Sequence, residues 1–156
     1  MIRLSLLSVG MVEETASVIL ILRAAEQRRL LVMEVGLLEG RAIAMEAEGV
    51  KMPRPLTHEL THRVLDALNG TLTQVVIADF RDKTYYANLE LRSKEGKEMV
   101  VDARPSDALA LALRTGAPIY VTEAVLAEAG IDEEDTDEED PADEVDEGEE
   151  DEPVLH

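Results

Sequence analysis

The chain has 156 residues, 46% hydrophobic and 31% charged, with no cysteine and a formal net charge of −19, enough for one domain with a real core. All 15 Lys and Arg and 18 of the 34 Asp and Glu lie in residues 1–130, a net of −3, and the last 26 residues hold the other 16 acids. A disulfide framework and a thiolate site are excluded, a reducing cytoplasm suits the composition, and apolar runs such as Val18 to Leu22 are far too short to span a membrane.

The opening MIRLSLLSVGMV lacks a small-residue cleavage pattern and is not read as a signal peptide. Ile2 to Val9 reads as a first strand. Val18 to Leu22 reads as a second, buried on both faces, and Leu30 to Val35 as a third that closes a hairpin. Leu37 to Glu48 changes to helical spacing and ends at Gly49, with Gly40 an unfavourable residue early in that helix by about 1 kcal/mol against alanine. Pro53 and Pro55 make residues 51–56 an extended connector. Thr57 is the expected N-cap of a helix whose Leu60, Val64, Leu65 and Leu68 form one apolar stripe. Strands follow at Gln74 to Phe80, central in the sheet, then at Tyr85 to Arg92 and Glu98 to Ala103.

The stretch VVDARPSDALALALR organises the rest. Met99 to Val101 suit the end of a buried strand, and Pro105 suits the first residue of a helix because that position needs no amide hydrogen. The Ala and Leu run favours a helix, apolar nearly all round and therefore buried, with Gly116 as its stop. Asp102, Arg104 and Asp107 are thus gathered where a strand hands over to a buried helix, and such polar groups must be paired or used. A short strand at Pro118 to Val121 and a helix capped by Thr122 follow. From Ile131 the acidic tail has nothing to bury and is expected to be disordered. The whole reads as α+β, a mixed or antiparallel sheet with packed helices, residues 1–130 forming one domain and 131–156 the tail.

DARPSDALALALRTGAPIYV at 102–121, PRPLTHEL at 53–60, VVIADFRDKTYYANLEL at 75–91 and EVGLLEGRAIA at 34–44 together resemble the bifunctional nuclease domain of bacteria and plants. The resemblance covers about residues 1–130 and implies an α+β fold and degradation of RNA and DNA. The chain departs from the family pattern at Val32 and Met33, where Pro-Ile is usual, at Gly40, where alanine is usual, and at His62. The glycine makes a different local helix start the expectation.

Phosphodiester hydrolysis needs neutralisation of the phosphoryl oxygens, an activated water and help for the leaving oxygen. Asp102, Asp107 and Glu39 are the candidate acids, and Mg²⁺ or Mn²⁺ the ions their hard oxygens suit. Arg104 and Arg54 are candidates for holding phosphate, and His58 for moving a proton. The structural alternative is that Asp107 caps its helix and Arg104 pairs internally. His58-Glu59-Leu60-Thr61-His62 also matches a zinc-hydrolase pattern, but no third histidine exists outside the tail.

RNA or single-stranded DNA is the expected partner, although the near-neutral folded part and 3% aromatics lack the usual basic stripe. The competing reading is a non-catalytic regulatory or interaction domain. A symmetric dimer is the default assembly. The tethered acidic tail would compete with a polyanion for any cationic groove.

Overall fold

A computed structural model describes residues 1–136 of the chain. Strands β1 (Ile2–Val12) and β2 (Ser17–Ala24) lead through a 3₁₀ turn, Ala25–Gln27, into β3 (Arg29–Gly36). Helices α1 (Leu37–Ala47) and α2 (Thr57–Ala67) precede the meander β4 (Thr71–Arg81), β5 (Thr84–Arg92) and β6 (Glu98–Ala103). Then come α3 (Pro105–Thr115), β7 (Ile119–Val121), α4 (Glu123–Ala129) and β8 (Ile131–Asp132). The sheet runs β6-β5-β4-β7-β1-β2-β3-β8. Among the described residues only β4 and β7 pair in parallel, so it is mixed and the fold is α+β, as expected. Among the described residues no helix is long and apolar enough to cross a membrane.

The two halves of the sheet share β1, which pairs with β7 through Ile2–Leu4 and with β2 from Ser5 onward, its register shifting between Leu6 and Ser8. They approach at one end, where Tyr85 Oη donates to the Val32 carbonyl at 3.3 Å and the Tyr85 ring packs on Phe80. The core-packing role of Tyr85 follows from this, and burial raises its phenol pKa.

Helix α3 lies at the centre. Pro105 occupies its first position, Gly116 ends it at φ 75°, and Ser106, Ala108, Leu109, Ala110, Leu111 and Ala112 are buried between β4, β5 and the other helices. Small alanines let α1 and α2 approach it while its leucines fill the core. Thr122 caps α4 by accepting from the Val125 amide.

Several expectations are corrected. The strand leading into α3 is not buried: β6 is the edge of the sheet, and Val100 is 65% exposed, because α3 covers β4 and β5 but stops short of it. The apolar stripe of α2 is mostly uncovered as well. Leu60, Val64 and Leu68 are 54%, 49% and 75% exposed, since α2 rests on α3 through its Leu65 side and never reaches the sheet core. Leu56, not Thr57, is the N-cap of α2. Within the run Val18 to Leu22 only Val18, Leu20 and Leu22 are buried, while Ile19 and Ile21 are half-buried. Nor does the chain leave the fold at Ile131. Residues 131–132 pair with β3, and Arg23, Arg28 and Arg29 hold Glu133, Glu134 and Asp132 at 2.9, 2.8 and 3.4 Å. The remaining tail lies outside the described residues.

Gly40 has a packing reason. Helix α1 starts at Leu37 regardless of it and crosses β2 so closely that a Cβ at position 40 would collide with the Val18 side chain. Val18 is β-branched and buried and has no room to turn away. Gly40→Ala therefore destabilises the fold by about 1–3 kcal/mol despite alanine's better helix propensity. Urea midpoints check this, with recovery expected in Gly40→Ala/Val18→Ala.

Candidate functional site

The polar centre forms where the first turns of α1, α2 and α3 meet. Arg104 leaves β6 in extended backbone as the N-cap of α3, which throws its guanidinium outward. Its Nε and Nη2 donate to Asp107 Oδ2 and Oδ1 at 2.8 and 3.2 Å, and its Nη1 donates to Glu39 Oε1 at 3.1 Å. His58 Nε2 lies 3.0 Å from Asp107 Oδ1. Glu39, Arg104, Asp107 and His58 thus form one hydrogen-bonded chain, and both acids sit in the first turns of their helices, where the dipole favours negative charge.

Burial of the Asp107 carboxyl opposes its charge, but the hydrogen bonds from Arg104 and His58 outweigh it and hold the group below its ordinary value of 3.8. The partnership with Asp107, reinforced by Glu39, raises Arg104. A carboxyl depressed in the folded state stabilises it above its unfolded pKa and loses that contribution as pH falls through the folded one. The stability gap between wild type and Asp107→Asn should be constant near neutrality and narrow below about pH 4. Urea titrations across that range check it.

Beside Arg104 opens a cleft of about 850 Å³ between the two halves of the sheet. Glu39, Asp102 and Arg104 line it at one end; Lys83, Tyr85 and Tyr86 line the facing wall. Asp102 is exposed at its lip. Arg54 is elsewhere: it lines a second pocket, between α1 and α2, together with His58. The residues grouped by chemistry in the sequence therefore line two cavities, one on each side of the hydrogen-bonded chain. Lys83 went unremarked in the sequence because it sits in the two-residue Asp82-Lys83 hairpin turn, where both φ angles are positive without the Asn-Gly that usually announces such a turn.

Among the described residues no three His, Asp or Glu side chains gather as a metal site. The Arg104 guanidinium hydrogen-bonds both Glu39 and Asp107, so these carboxylates face a cation already in place. The trio Asp102, Asp107 and Glu39 does not fit Mg²⁺ or Mn²⁺ in this arrangement. The zinc pattern on α2 is dispersed too. His58 turns to Asp107, His62 to Asp66 at 3.4 Å, and Glu59 to Arg63 at 2.6 Å and to Arg114.

Two proteins of Mycobacterium tuberculosis are 47% identical to the chain over 113 residues, covering 72% of it: uncharacterized protein MT1877 of strain CDC 1551 / Oshkosh and uncharacterized protein Rv1829 of strain ATCC 25618 / H37Rv. The chain spans 66% of the length of these relatives. The sequence pattern of the bifunctional nuclease domain matches residues 20–134, from β2 through the turn after β8, and so takes in every element that builds the polar centre. The chain belongs to the bifunctional nuclease domain family.

Proposed function

We propose that the chain hydrolyses phosphodiester bonds of RNA or single-stranded DNA in the cleft beside Arg104. The observation that carries this reading is a guanidinium shared between two carboxylates at the mouth of a cleft large enough for a nucleotide. An entering phosphate exchanges with Glu39 for the Arg104 fork, which matches phosphoryl oxygens in pairs. Glu39 is then free to take the proton of an attacking water or ribose hydroxyl. As the new P–O bond forms and the old one breaks, a solvent water held by Asp102 at the open lip passes a proton to the leaving oxygen. Asp107 keeps Arg104 oriented, and His58 holds Asp107, so both are positioning residues in this scheme. Lys83 and the half-exposed Tyr86 ring offer a neighbouring phosphate and base a place to rest.

Single-stranded RNA and DNA oligonucleotides incubated with the full chain test this. Cleavage is expected with and without EDTA, and Glu39→Gln and Asp102→Asn should each slow it roughly 10²-fold or more while retaining binding. Binding without cleavage in every buffer would instead support a non-catalytic regulatory domain, a reading favoured by Glu39 and Asp107 already being engaged by Arg104. For assembly we propose a homodimer in which the uncovered stripe of α2 packs against its copy, since a two-fold axis lets one apolar helix face serve both subunits. Val64→Glu should convert a dimer to a monomer in light scattering.

A further inference from the structure

The pocket between α1, the 50–56 connector and α2 shares only His58 with the cleavage scheme, and it has a charge of its own. It encloses about 270 Å³ and is lined by four cations, Lys51, Arg54, Arg63 and Arg114, against two acids, Glu46 and Glu59. The acids are already taken. Glu46 accepts from Arg114 Nη1 at 3.0 Å, and Glu59 accepts from Arg63 Nε at 2.6 Å and meets Arg114 Nη2. Arg114, Glu46 and Glu59 form the largely buried floor, at 26%, 18% and 15% side-chain exposure. Lys51 and Arg54 are left without an ion pair among the described residues.

Two unspent cations in a concave site concentrate anions even on an acidic protein. The rest of the wall is apolar: Met45, Val50, Met52 and Leu56 face the same space, the last three with 42%, 51% and 50% exposure that nothing else in the fold accounts for. Such a pocket suits a ligand with a doubly charged head and a flat, poorly solvated body. We propose that it binds a nucleoside monophosphate, the phosphate held by Lys51 and Arg54 and the base laid against Met52 and Leu56. The site stands independently of cleavage in the neighbouring cleft, because its ligand contains no phosphodiester bond.

Calorimetric titration of the full chain with adenosine 5′-monophosphate, inorganic phosphate and adenosine tests the proposal. The monophosphate should bind, and more tightly than either fragment. Lys51→Gln and Arg54→Gln, both at exposed connector positions, should each weaken it roughly tenfold or more, while Lys83→Gln in the other cleft leaves it unchanged. Circular dichroism of the variants establishes that they are folded. No binding at millimolar ligand, equal affinity for inorganic phosphate, or sensitivity to Lys83→Gln alone would each overturn the assignment.

Discussion

Replacement of Arg104 by alanine is expected to lower the proposed phosphodiester cleavage by roughly 10²–10³-fold, the scale on which loss of one preorganised charge-stabilising donor is felt. The side chain is 64% exposed and projects from a helix N-cap, so the thermal midpoint should stay near that of wild type and the loss should appear in the rate. Arg104→Lys should recover little. A lysine can reach Asp107 or Glu39 but cannot present the planar fork that now joins them and that a phosphate would take over. Initial rates on a labelled oligonucleotide, with melting curves alongside, check both variants; undiminished cleavage by Arg104→Ala would remove the guanidinium from the mechanism.

Leu109→Ala is the substitution expected to cost most in stability. Leu109 is 1% exposed in the middle of α3, and α3 is the element on which α1, α2, β4 and β5 all rest. Truncation leaves a cavity that backbone on every side prevents from closing, a loss of about 2–5 kcal/mol. Leu38→Ala, at a position 77% exposed on α1, should change stability by no more than about 0.5 kcal/mol. Because Arg104 caps α3 and Asp107 sits on its first turn, a loosened Leu109 pocket also frees that turn. Leu109→Ala should lose cleavage at temperatures well below its own melting transition, where Leu38→Ala remains active. Denaturant midpoints and rate measurements at two temperatures separate the two effects.

How far each feature could be read in the sequence depended on how local its cause is. Helix α3 was legible because Pro105, the alanine and leucine run and Gly116 specify a start, a body and a stop within 12 residues. Thr122 was legible for the same reason, its hydroxyl capping an amide three residues on. The convergence of Glu39, Arg104, Asp107 and His58 was anticipated only as a gathering of chemically suitable types. Its geometry depends on three helix starts meeting, and no local pattern encodes that.

The misplaced features share one cause. Periodicity shows which residues of a helix or strand are alike, but not whether anything lies opposite them. The stripe on α2 and the apolar run in β6 are real patterns, yet α3 takes the central place against the sheet and leaves both at its margins. Arg54 was grouped with Arg104 by chemistry, although the His58–Asp107 contact stands between their cavities. The fold's hold on residues 131–134 was hidden because acids read as repelling one another until the arginines at positions 23, 28 and 29 are known to face them. A truncation that keeps these contacts must begin after Glu134.

The proposed cleavage requires a phosphodiester to lodge on Arg104, between Glu39 and Asp102. A crystal structure of the chain with a short, cleavage-resistant single-stranded oligonucleotide tests it most directly. A backbone phosphate is expected within hydrogen-bonding distance of the Arg104 guanidinium, with Glu39 released from its present contact. An oligonucleotide bound on another face, with the Arg104–Glu39 pair intact and the cleft unvisited, would contradict it.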